Sequence, residues 1–178
     1  MAPLVIPDPS LVLLVGAAGS GKSTLAARLF DPDEIVSSDA LRAVVSGDEA
    51  DQRATAVAFR ILHRTLARRL PTGLLTVVDA TNALAAHRRP LIRRAQALGM
   101  PIVAIVLDLP ADVVHAQNTS RARVVDPAVV DRHIASIRAL VDGPGLAVEG
   151  VDPVVVLRGP AEAAALTIAR RAASRTLR

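Results

Sequence analysis

The sequence has no cysteine, no tryptophan and no tyrosine, and Phe30 and Phe59 are its only phenylalanines. Without cysteine there is no disulfide, no thiol nucleophile and no thiolate metal site. With two aromatic rings, a stacking platform for nucleobases is nearly excluded, and arginine planes are the remaining substitute. The four histidines, His63, His87, His115 and His133, lack close ligand spacing, so no zinc site is expected. The longest apolar runs have strand length and are too short to span a bilayer. The Pro-rich start has neither a basic segment nor a long apolar stretch, so it does not read as a signal peptide. The expectation is a cytoplasmic protein without a membrane partner.

Lysine is almost absent too. Of the 21 Lys and Arg residues, Lys22 is the one lysine. Arginine therefore serves wherever generic positive charge suffices, and the lone ammonium marks a place where the wide guanidinium fork does not fit. A net charge of +4 is compatible with anionic partners without requiring them. The high isoelectric point follows from having few groups that titrate between neutrality and the arginine range.

What the chain does have is apolar aliphatic mass: 51% of its 178 residues are hydrophobic. That composition suits a parallel sheet covered by helices, and the length suits one domain over residues 1–178. The central stretch is Gly16-Ala17-Ala18-Gly19-Ser20-Gly21-Lys22-Ser23, preceded by Leu11–Val15 and followed by Thr24 and an apolar helical pattern. It fits G-x-x-x-x-G-K-[ST] at every fixed position, in the order strand, loop, helix that a P-loop requires. Glycine lets backbone N–H groups turn inward around a triphosphate, and the helix adds its unpaired donors and positive dipole end. Gly16, Gly19, Ser20, Gly21, Lys22, Ser23 and Thr24 are thus the expected ATP cradle. Lys22 reaches the β- and γ-phosphates, and Ser23 is a ligand for Mg²⁺.

Alternation continues along the chain. Residues 1–10 read as a lead-in, and strands are expected at Leu11–Val15, Glu34–Ser37, Leu74–Val78, Ile102–Leu107 and Val154–Leu157. Helices are expected from the P-loop to Phe30, from the polar loop 46–51 to Leu70, over Ala83–Leu98, Pro110–Ser120 and Asp126–Leu140, and from Gly159 to the terminus. The long helix carries an apolar stripe at Ala54, Val57, Ala58, Ile61, Leu62, Thr65 and Leu66. Its arginines Arg53, Arg60, Arg64 and Arg68 form either a solvated face or a nucleic-acid stripe. The fold class is α/β: a P-loop NTPase-type three-layer sandwich with a five-stranded parallel sheet, flanking helices and a helical lid at about 117–140.

Ligands bind such sheets beyond the carboxyl ends of the strands, where Asp39, Asp79 and Asp108 stand. Asp39 is either a general base for an acceptor hydroxyl or a cap for the helical turn that follows, with Arg42 on the same side. Asp79 ends a hydrophobic strand, as does the carboxylate that helps hold Mg²⁺ in P-loop enzymes. Asp108 reads as a loop or cap residue. Arg121 is the candidate lid cation, while Arg123 and Arg132 read equally as lid cations or solvated charges.

The ordered segments Gly-x-x-Gly-Ser-Gly-Lys-Ser-Thr, Val36-Ser37-Ser38-Asp39-x-x-Arg42, Asp48-x-x-Asp51-Gln52 and Thr76-Val77-Val78-Asp79-Ala80-Thr81-Asn82, followed by Arg89-Pro90-Leu91-Ile92, resemble the kinase domain of bacterial polynucleotide kinase-phosphatase. The resemblance spans about Leu11 to Leu157. It implies that Lys22 and Ser23 bind ATP and Mg²⁺, that Asp39 activates a 5′-hydroxyl, that Arg42 contacts the acceptor side and that Arg121 is a lid arginine. The family's lid resembles Arg-Asn-x-x-Arg, and here the first arginine is replaced by Gln117. The implied partners are ATP and the 5′-OH end of RNA or DNA. A small-molecule kinase on the same fold and a nucleotide-dependent binding or switch protein are the alternatives.

Overall fold

A computed structural model describes residues 2–46, 55–121 and 124–173. After a short strand β1 (Leu4–Asp8) come β2 (Leu11–Gly16), α1 (Lys22–Leu29), β3 (Ile35–Ser37), α2 (Ser38–Ser46), α3 (Thr55–Arg69) and β4 (Thr76–Asp79). The second half contains α4 (Ala85–Ala97), β5 (Ile102–Leu107), α5 (Ala111–Thr119), α6 (Pro127–Asp142), β6 (Val154–Leu157), α7 (Pro160–Ala165) and β7 (Ile168–Ala172).

The five-stranded sheet has the order β3-β4-β2-β5-β6, with every pair parallel. Strands β2 and β5 are apolar throughout because both faces are covered, and they are buried at all positions. The chain leaves β2 for the β3-β4 side and returns through β5 to the other side. The crevice that this reversal opens lies at the carboxyl end of β2, where the P-loop begins.

Helix α3 buries Ala58, Leu62 and Leu66 from the expected stripe, while Val57, Ile61 and Thr65 are half-buried. Arg60, Arg64 and Arg68 are exposed, as either reading of that face requires. Ala54, Arg53, Asp48, Asp51, Gln52 and most of the polar loop lie outside the described residues. Helix α6 begins as expected, with the Asp126 carboxylate accepting from the Ala128 amide at 2.7 Å and Pro127 at the first helical position.

Two expectations are corrected at the ends of the chain. The lead-in contains β1, and the last helix stops at Ala165 before β7; the two strands pair in parallel as a separate two-stranded sheet, with Leu4 opposite Ile168 and Asp8 opposite Ala172. Pro7 disguises the first strand, but a proline is tolerated in an edge strand. The alanines and arginines of the last segment favour a helix by propensity, and tertiary contacts override it. Arg170 donates to both oxygens of the Glu34 carboxylate, at 2.7 and 2.8 Å, and lies 3.6 Å from Asp8. The hydrogen bond from Arg170 to Glu34 is the chief cause that raises the guanidinium pKa above its usual range.

Candidate active site

The P-loop leaves β2 at Gly16 and enters α1 at Lys22, through Gly19 and Gly21 at φ 85° and 83°. Both conformations disfavour a side chain, and Gly19 carries a second constraint. A Cβ there would lie 2.6 Å from the Val114 carbonyl oxygen and 2.9 Å from the Asn118 amide nitrogen, both in the α5 backbone. The loop is therefore packed closely against α5. The Ser20 hydroxyl is buried in the loop without a partner among the described residues, a donor that a bound phosphate would satisfy.

Lys22 folds over the loop, its ammonium donating to the Ala17 carbonyl at 2.8 Å. Desolvation lowers its pKa from 10.5 to about 8, with Asp79 opposing the shift and Arg121 adding to it. Next to it, the Ser23 hydroxyl donates to the Asp79 carboxylate at 2.7 Å, and Asp79 is buried at the end of β4. This fits Mg²⁺, which takes one or two protein oxygens and completes its octahedron with water and substrate phosphate.

Asp39 lies in the first turn of α2, as expected, but it does not cap that helix. The Ala40 amide donates instead to the Ser37 hydroxyl at 3.4 Å. One oxygen of the Asp39 carboxylate is ion-paired with Arg42, three residues on, and the other lies 3.8 Å from the Arg121 guanidinium. Asp39 thus sits between a cation of its own helix and one from the lid loop. The P-loop, Asp39, Arg42, Asp79 and Arg121 line one cleft of about 900 Å³, near the upper end of the range for small-molecule sites.

Asp108 accepts from Arg158 at 3.2 Å, a loop role as expected. Arg132 is exposed, and Arg123 lies outside the described residues. Phe30 belongs to the core, whereas Phe59 lines the cleft with its ring 5.7 Å from that of His87. One ring of the scarce pair therefore does reach the site, beside the ring of His87.

Three supporting residues escaped the sequence reading. Asn118 is fully buried, donating to the Val125 carbonyl at 2.8 Å and accepting from the Val125 amide at 3.1 Å; it closes the base of the loop that carries Arg121. Asn82, at φ 48°, donates to the Leu14 carbonyl at 2.8 Å and so ties the turn after Asp79 to β2. Arg88 donates to the carbonyls of Asn82 and Ala83 at 3.0 and 2.6 Å, and pairs with both oxygens of Glu149 at 3.0 and 2.7 Å. Asn82 and Asn118 stand inside segments already singled out, but an asparagine's partner is set by tertiary structure.

A family model described as an AAA domain matches residues 11–144, which takes in the P-loop, Asp39, Asp79, α5 and α6. The chain belongs to the AAA domain family. Among solved structures, this AAA domain is similar to a chain of the Pnkp1/Rnl/Hen1 RNA repair complex, with TM-score 0.64 and 20% identity over 77% of this chain and 46% of that one. It spans about half the length of that relative. It is also similar to a putative kinase from Chloroflexus aurantiacus, with TM-score 0.58 and 20% identity over 85% and 88% of the two chains. A sugar kinase from Janibacter sp. HTCC2649 gives 0.55 and 20% over 84% and 85%. These likenesses establish the fold of P-loop kinases for this AAA domain. No curated protein matches the chain in sequence.

Proposed function

We propose that this protein is an ATP-dependent phosphotransferase that moves the γ-phosphoryl group to a hydroxyl acceptor, the 5′-OH end of an RNA or DNA strand. The observation that carries the reading is the position of Asp39, in the same cleft as the P-loop and held between Arg42 and Arg121. In phosphoryl transfer the protein positions the reactants and neutralises charge, and a carboxylate orients the attacking hydroxyl and accepts its proton.

The residues divide the work as follows. Backbone amides of residues 19–23 and the α1 N-terminus cradle the β- and γ-phosphates, and the Lys22 ammonium exchanges its bond to Ala17 for phosphate oxygen. Ser23 and Asp79 hold Mg²⁺, which when bound neutralises charge on the β- and γ-oxygens. Asp39, held between its two guanidiniums, receives the hydroxyl proton of the acceptor. Arg42 orients that carboxylate from the acceptor side, and Arg121 faces the charge that spreads over the transferring phosphoryl.

A second reading, a kinase of small hydroxylated molecules, is favoured by the end-to-end similarity to a structure named as a sugar kinase. Labelled ATP offered together with 5′-OH RNA, 5′-OH DNA, sugars and nucleosides separates the two. Label on the oligonucleotide 5′ ends supports the proposal, and label confined to a small alcohol replaces it with the second reading.

A further inference from the structure

His133 is an ionisable side chain in the cleft that the phosphotransfer reading leaves without a part. It lies on α6 one turn after Val129, and both residues line the cleft. Its Nδ1 is buried and has no hydrogen-bond partner among the described residues. A buried ring nitrogen left unpaired carries a desolvation cost that a ligand can relieve.

The charges around it specify that ligand. Those acting on the imidazole are Lys22 from α1 and Arg132 on its own helix, with the His87 ring of α4 also near; among the described residues no carboxylate opposes them. Burial first, and then these two cations, lower the His133 pKa below its ordinary value, so the ring is neutral at pH 7 in the ligand-free protein. An anion lodged among the same groups reverses the balance and favours a protonated ring. The α5 side of the P-loop adds no charge, because Gln117 is the residue whose side chain faces Gly21.

We propose that His133 is a second ligand of the nucleotide polyphosphate, its free Nδ1 donating a hydrogen bond to a terminal phosphate oxygen of the ATP held at Lys22. The inference rests on the phosphotransferase reading and adds a contact to it. α6 then takes part in nucleotide binding directly, and the imidazole complements Arg121 where Gln117 offers no charge. No bond forms or breaks at His133; it gains a proton from solvent as the polyphosphate arrives.

The test follows the His133 ring in the whole protein labelled with ¹⁵N-histidine, its resonances assigned by comparison with His133→Asn. The titration midpoint is measured free, with a non-hydrolysable ATP analogue plus Mg²⁺, and with AMP. The expected result is a midpoint raised by about one pH unit or more by the analogue and unmoved by AMP. His133→Asn is expected to weaken analogue binding at pH 6 by about tenfold and AMP binding not at all. An analogue that binds while the His133 midpoint stays where it was overturns the inference and leaves the phosphotransferase reading standing. Failure of the analogue to bind the wild-type protein overturns both.

Discussion

Two side chains, Lys22 and Arg42, test the proposed chemistry at the residue scale, and each is expected to fail in its own way. Lys22→Ala removes an ammonium that the folded environment already disfavours, so thermal unfolding should stay where it is or rise slightly while phosphoryl transfer is lost. Lys22→Arg should be comparably inactive, because the wider guanidinium does not fit under the loop where Lys22 meets Ala17. Retained transfer in either variant contradicts the P-loop assignment. Arg42→Ala leaves Arg121 as the cation beside Asp39 among the described residues. It should raise the acceptor KM and lower kcat together while ATP affinity is preserved, since Arg42 orients the carboxylate that meets the acceptor. Steady-state kinetics varied in each substrate separately distinguish this from a loss confined to binding.

Elements position these residues through buried polar ties, which can be tested one by one. Asn118 joins the end of α5 to Val125 by two hydrogen bonds, and Asn118→Ala leaves both Val125 backbone groups unpaired in a buried site. The expected cost is about 1–3 kcal/mol of stability. The effect on kcat should exceed that on nucleotide affinity, because the loop held shut by Asn118 carries Arg121. Denaturant unfolding alongside kinetics checks both parts. Arg170→Ala removes the two guanidinium donors to the buried Glu34 carboxylate, leaving the Asp31 amide, and should lower stability by about 1–3 kcal/mol. Unfolding midpoints unchanged from wild type would mean that the Arg170–Glu34 pair contributes nothing to stability.

The same contrast explains what was legible in the sequence. β2, β5 and the P-loop were readable because their signals are local: an unbroken apolar run, then glycines where the backbone needs positive φ. Asp39 and Asp79 were readable from position alone, since strand ends face the crevice in this architecture. The β1-β7 pair was not, because its register joins segments at opposite ends of the chain and one of them contains Pro7. Asp39 as a possible cap was resolved only by the Ser37 hydrogen bond, and Asn118, Asn82 and Arg88 work through partners that no spacing rule identifies.

For the whole molecule, the question is which acceptor the cleft serves. The chain's net charge of +4 is modest, so under the proposed function strand binding would come from arginines placed where phosphates pass rather than from a diffuse field. Oligonucleotide affinity should fall steeply with salt, with a slope that counts the phosphates neutralised, whereas a small neutral acceptor should show little salt response. Among the described residues no helix is long and apolar enough to cross a membrane. The most direct test of the central claim is single-turnover transfer of γ-labelled phosphate to a 5′-OH oligonucleotide, run for wild type and Asp39→Asn at saturating ATP. The account predicts label on the 5′ end with wild type, none when that end is already phosphorylated, and a rate lower by roughly two to four orders of magnitude in Asp39→Asn with ATP affinity unchanged. An Asp39→Asn rate within a few-fold of wild type would contradict the role given to that carboxylate, and no label on the 5′ end with the wild-type protein would contradict the acceptor.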